Sequence, residues 1–419
     1  KRFPEKSLKK RNEVLHKLYK SKYIPTQEEY DSLKQLPITL SFKVQNQNVG
    51  LATYFRRVLE PELMAWCKER GIDLWESGLK IYTTIDSRMQ RYAEEAVSEH
   101  MALLQKDFST HWQGRNPWLD DDWRAIQGYL QSKIKQTETY KNLVAKYGER
   151  SDSIKIMLNL KKPMRVFSWK GERDTLFSSM DSLNYYKRFL HTGMMSMDAN
   201  TGEIKAWVGG INHKYFKYDH VRQGKRQPGS TFKPFVYGTA MEAGFNPCLK
   251  LSDISPSFKL PTGNWRPQNA DGGYGTGEML TLRQAMALSV NSITAQVMKN
   301  VDPANVVKFA ERVGITSKLD AVPALCLGVS DVSLYELVGA YCTFVNEGIY
   351  TEPYYITRIE DKNGNVLENR VPKTRQSISE QTAFKMIYML MGGVQEAGGT
   401  SQGLPFSLRQ DNEIGGKTG

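Results

Sequence analysis

Arg226-Gln227-Pro228-Gly229-Ser230-Thr231-Phe232-Lys233-Pro234-Phe235 sets a serine and a lysine three residues apart at the head of an apolar run, Phe235-Val236-Tyr237-Gly238-Thr239-Ala240-Met241. The run reads as a buried helix. Side chains at i and i+3 share a helix face, so the spacing predicts the Lys233 amine within reach of the Ser230 hydroxyl, a nucleophile beside a candidate base. Pro228-Gly229 would leave the first N–H groups of that helix free, and the positive end of its dipole favours charge developing at Ser230. Taken alone, S-x-x-K recurs by chance in chains of this length, so the surroundings must decide.

Immediately upstream, residues 193–198 and 203–210 flank the turn residues Asn200-Thr201-Gly202 and read as a β-hairpin. Downstream, helical patterns occupy 281–300, 303–313, 331–346 and 379–393, and 357–367 reads as a hairpin turning at Asn363-Gly364. A glycine-rich loop at 398–403 precedes the closing Gly415-Gly416-Lys417-Thr418-Gly419. These elements form one region, 189–419, organised around Ser230.

The earlier part divides into three. Residues 1–40 predict two helices, 9–20 with Val14, Leu15 and Leu18 on one face, and 26–36, where Thr26-Gln27-Glu28-Glu29 has the form of a capping box. Such a pair is too small to bury a core, so it is expected to belong to a larger domain. Residues 41–106 form a linker region with a helix over 54–70 stopped by Gly71, an alternating strand at 79–85, and a helix opened by Asp86-Ser87 and running to about 106. Residues 107–188 form an insert in which Trp112, Trp118 and Trp123 are expected in a core or interface, with a strand-like run at 164–169.

With 419 residues, 40% of them hydrophobic and 24% charged, the chain suits two to four globular domains rather than disorder. It contains no apolar run of about 18 residues, the length that would span a membrane. The charged start at Lys1 and the stop at Gly419 suggest a piece of a longer chain. The net charge of +12 is concentrated: residues 1–22 hold nine Lys or Arg against two Glu. A basic segment of that kind suits anionic lipid headgroups. No zinc-finger spacing or aromatic RNA-binding motif accompanies it, which argues against nucleic acid. Cys67, Cys248, Cys326 and Cys342 lie far apart and read as small buried residues, with no metal site, disulfide framework or cofactor indicated.

Two further triplets carry the chemistry. Ser289-Val290-Asn291 follows a helical run and presents a hydroxyl and an amide; Lys417-Thr418-Gly419 offers a cation and a hydroxyl suited to a carboxylate. A phosphate-binding loop would need glycine five residues before Gly416, where Asp411 stands instead. The order S-x-x-K, S-x-N, K-T-G matches the trio of penicillin-binding proteins and serine β-lactamases. The flanks, among them Gly78-Leu79-Lys80-Ile81-Tyr82-Thr83-Thr84-Ile85-Asp86, Val208-Gly209-Gly210, Leu327-Gly328 and Phe344-Val345-Asn346-Glu347-Gly348, resemble bifunctional class A penicillin-binding proteins of the 1A type. Residues 2–40 resemble the tail of that family's glycosyltransferase domain.

The resemblance implies an α/β (α+β) transpeptidase fold, a central antiparallel sheet flanked by helices. It further implies an enzyme on the periplasmic face of the bacterial inner membrane that crosslinks peptidoglycan stem peptides on lipid II-derived glycan and is acylated by β-lactams. Ser230 would attack the D-Ala-D-Ala carbonyl, Lys233 would take its proton, and Ser289 would pass a proton to the departing D-alanine. Asn291 would hold the donor amide, while Lys417, Thr418 and Gly419 would bind the terminal carboxylate. One oxyanion donor would be the Ser230 N–H and the other a backbone N–H beyond Gly419. The alternatives are a D,D-carboxypeptidase or β-lactamase using water as acceptor, and a non-catalytic receptor for β-lactams or stem peptides.

Overall fold

The computed structural model describes residues 4–38, 50–120, 122–261, 263–410 and 412–419. The beginning of the expected linker, residues 41–49, lies outside them. The chain forms two compact units, Lys1–Val49 and Gly50–Gly419.

In the first unit, helices Pro4–Lys20 and Gln27–Gln35 pack as a pair. Thr26 accepts a hydrogen bond from the Glu29 N–H and so starts the second helix as expected. Arg11 closes its other end, donating to the Lys34 and Leu36 carbonyls at 2.9 and 2.6 Å. Tyr19 and Tyr30 stack between the helices at 5.1 Å. Val14 and Leu18 stay exposed, so the face they form is not spent within this unit.

The larger unit is built on two large cores, with smaller clusters around Ala93 and around Ile134, Ile154 and Leu158. Around the first, helix Thr53–Glu69 lays Tyr54, Phe55, Leu59, Leu63 and Trp66 against Trp207 of strand Ile204–Val208 and against Ile356 and Ile359 of strand Ile356–Glu360. Strand Lys80–Thr83 pairs antiparallel with Ile356–Glu360, which pairs in turn with Val366–Asn369. The hairpin Met194–Met197 and Ile204–Val208 lies beside this ladder, joined by irregular bonds such as Ile204 N–H to Tyr354 O at 3.0 Å. Among the described residues the remaining strands form short antiparallel pairs, and the longest continuous ladder has three strands. Gln90, fully buried on helix Ser87–His111, hydrogen-bonds both backbone groups of Trp207 and stands in for a missing strand partner at that position.

The second core surrounds helix Lys233–Glu242, whose residues 233–241 are all buried. A helix apolar on every side must sit at the centre of its domain. Helices Asn291–Val301, Pro303–Arg312 and Glu380–Gln395 pack round it. A Cβ at Gly238 would collide with the Phe309 ring, so glycine there permits the close approach of Pro303–Arg312. Helix Leu334–Val345 adds a further wall. Its start is pinned by Glu336, whose carboxylate accepts from Ser333, Thr316 and Ser317 through both backbone and hydroxyl donors at 2.6–2.9 Å. Burial alone would raise the pKa of Glu336, but these donors outweigh it and hold the group at about 2.

Several expectations need correction. The helical pattern over 281–300 is two helices, Leu282–Ala287 and Asn291–Val301, because the backbone reverses at Ser289. In the insert, the strand falls at Lys162–Val166, paired with Arg173–Phe177, and the run 167–169 belongs instead to an aromatic cluster in which Phe167 meets Trp169, Phe189 and Phe216. Trp118 stacks on Tyr129 at 4.9 Å, but Trp123 is 80% exposed and serves no core. Cys67 and Cys326 are buried, whereas Cys248 is exposed.

Candidate active site

Ser230 does not lie on the α-helix. It sits in a 3-10 turn, Gly229–Phe232, and Lys233 opens the α-helix that follows. Gly229 has φ of 57°, the left-handed value that glycine adopts without strain. The turn is braced from outside: Gly229 N–H donates to Gly328 O at 3.3 Å, and Tyr341 donates to the Thr231 carbonyl at 2.6 Å. Gly328 lies against the Gly229 backbone so closely that any side chain would overlap it.

The expected bond between Lys233 and Ser230 is absent. Instead, Lys233 Nζ donates to Ser289 O at 2.6 Å, Asn291 Oδ1 at 2.7 Å and Ser289 Oγ at 3.2 Å. Lys233 has no exposed surface, and burial together with repulsion from Lys417 brings its pKa down to about 7. The three acceptors match the three hydrogens of an ammonium. Two of them, the Ser289 carbonyl and the Asn291 amide oxygen, can only accept. A neutral amine therefore keeps its two N–H groups on those oxygens and turns its lone pair to the Ser289 hydroxyl, the geometry a proton relay requires.

This arrangement depends on an unusual backbone. Ser289 has φ of 59° and occupies the position just past helix Leu282–Ala287 where glycine is usual. Ser289 N–H bonds to Met286 O at 3.1 Å and Val290 N–H to Ala285 O at 2.9 Å, the paired bonds of a Schellman ending. Holding a non-glycine residue there costs about 1–3 kcal/mol, and such strain persists only where surrounding contacts enforce it. It turns both the Ser289 carbonyl and its hydroxyl towards Lys233.

Lys417, Thr418 and Gly419 lie on irregular backbone along helix Glu380–Gln395, with Gly416 N–H bonded to Leu390 O at 3.1 Å. A Cβ on Gly419 would stand 3.2 Å from Thr231 Cγ2 and 3.3 Å from Pro228 O, so this segment comes up against the nucleophile turn. Lys417 is half-buried, donates to Thr418 O at 2.8 Å, and burial lowers its pKa to about 8. Repulsion between the two cations is mutual, and the more deeply buried Lys233 yields its proton first. An apolar groove of about 600 Å³, lined by Tyr341, Leu390, Met391, Thr231 and Lys417, borders the same turn, but Ser230, Lys233 and Ser289 do not line it.

The residues missed from the sequence are supports: Tyr341 and Gly328 under the nucleophile turn, and Asp253, Gln268 and Asn269 beside Asn291. Leu327-Gly328 and the segment ending at Tyr341 carried the resemblance, the one signal that could have flagged them. Asp253, Gln268 and Asn269 fit no periodic pattern, because they reach the site from loops far away in sequence.

Residues 192–419 match the model of the penicillin-binding protein transpeptidase domain, and residues 113–190 match that of the penicillin-binding protein middle domain. Penicillin-binding protein 1A of Aquifex aeolicus is 28% identical over 430 residues, covering 99% of this chain and 56% of that protein. Penicillin-binding protein 2D of Bacillus subtilis is 26% identical over 392 residues, covering 93% of this chain and 44% of that protein. The chain thus spans about half the length of the curated relatives it matches. A crystal structure of penicillin-binding protein 1A from Haemophilus influenzae shares the fold with a TM-score of 0.64 at 23% identity, over 99% of this chain and 68% of that one. The chain belongs to the penicillin-binding protein transpeptidase family.

Proposed function

We propose that this chain is the D,D-transpeptidase part of a peptidoglycan synthase. The observation that carries this reading is Lys233, a buried amine with a pKa of about 7, one turn from Ser230 and hydrogen-bonded to Ser289 and Asn291. Ser230 Oγ attacks the carbonyl of the penultimate D-alanine while its proton passes to the neutral Lys233 amine by way of the Ser289 hydroxyl that the amine's lone pair faces. The terminal D-alanine leaves with a proton delivered through Ser289, and an acyl-enzyme remains. A neighbouring stem-peptide amine then takes the acyl group. Asn291 orients the donor peptide, and Lys417 with Thr418 and Gly419 receives its carboxylate. β-Lactams enter by the same attack and stop at the acyl-enzyme.

Intact-mass measurement of the full-length protein after exposure to a penicillin tests this. A long-lived adduct on Ser230, lost in Ser230→Ala, is expected. Absence of an adduct in the unaltered full-length protein would remove the acyl-transfer reading, and hydrolysis within seconds would favour a β-lactamase or carboxypeptidase.

Residues 1–40 are read as the tail of a glycosyltransferase domain, 41–106 as a linker, 107–188 as an accessory region and 189–419 as the transpeptidase domain. The basic surplus in residues 1–22 supports a place at the outer face of the inner membrane, near lipid II-derived glycan and other cell-wall synthesis proteins. No helix among the described residues is long and apolar enough to cross a membrane. Salt-dependent binding to anionic vesicles is expected, and binding that ignores salt would sink the membrane-surface reading.

A further inference from the structure

The helix Asn291–Val301 starts without a cap of its own. Its N-cap residue is Val290, which has no side-chain acceptor for the first N–H groups. Asn269 supplies one from a distant loop: its Oδ1 accepts from Asn291 N–H at 2.9 Å and Ser292 N–H at 3.0 Å. An amide can present either end, so something must fix which one faces the helix. Asp253 does so. Its carboxylate, 4% exposed, can only accept when ionised, and Asn269 Nδ2 donates to its Oδ1 at 3.1 Å. The hydroxyl of Ser292 donates to the same oxygen, and Thr276 donates to Oδ2 through its N–H at 2.9 Å and its hydroxyl at 3.1 Å. Burial by itself would raise the pKa of Asp253, yet these donors keep it below the usual carboxylate range.

The residue before Asn269 completes the chain of orientation. Gln268 O accepts from Asn291 Nδ2 at 2.8 Å, which leaves Asn291 Oδ1 facing Lys233 Nζ at 2.7 Å. Two amides in series are thus each held one way round, beginning at a buried carboxylate that touches no reacting atom.

We propose that Asp253 and Asn269 are positioning residues of the acylation site, seating Asn291, and through it Lys233, by fixing the start of the Asn291–Val301 helix and the Gln268 carbonyl. The proposal rests on the acyl-transfer reading above. A role confined to capping the helix would make Asp253 a matter of stability alone, whereas positioning makes its effect depend on Asn291.

The test is a double-mutant cycle on penicillin acylation of the full-length protein, with initial non-covalent affinity and the acylation step measured separately. Asp253→Asn should slow the acylation step about tenfold or more, as small misplacements of reacting groups do, with a smaller loss of initial affinity. In an Asn291→Ala background the same substitution should have little further effect on the acylation step. Wild-type speed in Asp253→Asn, or effects that multiply independently in the double variant, would overturn the proposal. If Asp253→Asn loses its cooperative melt, Asn269→Ala carries the same cycle with the same two outcomes. A full-length wild type that takes no adduct would overturn the acyl-transfer reading and this proposal with it, whereas a labelled wild type with an equally fast Asp253→Asn overturns this proposal alone.

Discussion

Lys233 and Lys417 are the same residue type near one turn, held in very different ways. Lys233 opens the most buried helix of the domain, has no exposed surface and is met by three oxygens within 3.2 Å. Lys417 lies half-buried on irregular backbone whose segment is tied to the helix behind it by the Gly416 to Leu390 bond. Their pKa values follow the difference: burial together with repulsion from Lys417 brings Lys233 down to about 7, and burial brings Lys417 to about 8. The lesson is that burial makes one lysine a candidate base and leaves the other a cation at neutral pH, suited to a carboxylate.

Substituting each lysine would separate these roles. Lys233→Arg keeps the charge but removes the neutral amine, and acylation by a penicillin should fall about a hundredfold to ten-thousandfold. Stopped-flow or intact-mass kinetics checks this, and a normal rate in that variant would end the base assignment.

The next largest effect concerns the support behind the lysine-bearing helix. Glu336 pins helix Leu334–Val345, from which Tyr341 braces the Ser230 turn. Its pKa is lower when folded, about 2 against an ordinary 4.5, so its contribution of about 3 kcal/mol is fully present above pH 4.5 and is lost as pH falls towards about 2. Glu336→Gln should lower stability at pH 7 by about that amount and flatten the acid limb of a denaturation series. An unchanged acid limb would show that the donors do not favour the ionised form.

Lys417→Ala should reduce affinity for carboxylate-bearing substrates by about tenfold or more. It should also raise the pKa of Lys233, because the facing cation is gone. Lys233 must lose its proton to act, so the rise of acylation with pH should move to higher pH. The other titratable group facing Lys233 is Cys326, whose thiol burial pushes up to about 12 and keeps neutral. A pH profile that does not move would mean that the two lysines are uncoupled and Lys417 acts in binding alone.

The smallest effect sharpens the account of strain. Ser289→Gly should relieve the left-handed backbone and stabilise the fold by roughly 1 kcal/mol while slowing acylation. A thermal melt measured beside the acylation rate checks both, and a destabilised variant would show that the hydroxyl contacts outweigh the strain.

Much of the fold was legible where the sequence has a local physical signal. The Thr26 and Asp86 helix starts, the stop at Gly71, the hairpin around Asn200-Thr201-Gly202 and the turn at Asn363-Gly364 are set by side chains acting within a few residues. The break at 288–290 was legible only in part: the Ser289-Val290-Asn291 triplet reads as a turn after a helical run, yet apolar spacing continues through it over 281–300 and serine there hides the glycine signal of a helix end. The same limit applies to Trp123, whose size suggested burial but whose neighbours leave it in solvent.

By itself the sequence set the order and spacing of Ser230, Lys233, Ser289, Asn291 and the 417–419 triplet, since motif spacing is a property of the chain. Which groups meet was decided only by tertiary structure. Lys233 turned from Ser230 to Ser289 and Asn291 because burial leaves an amine no water to replace the oxygens it finds there. The supports of that seat, Asp253, Asn269 and Tyr341, arrive from other loops and helices, where no local pattern could announce them.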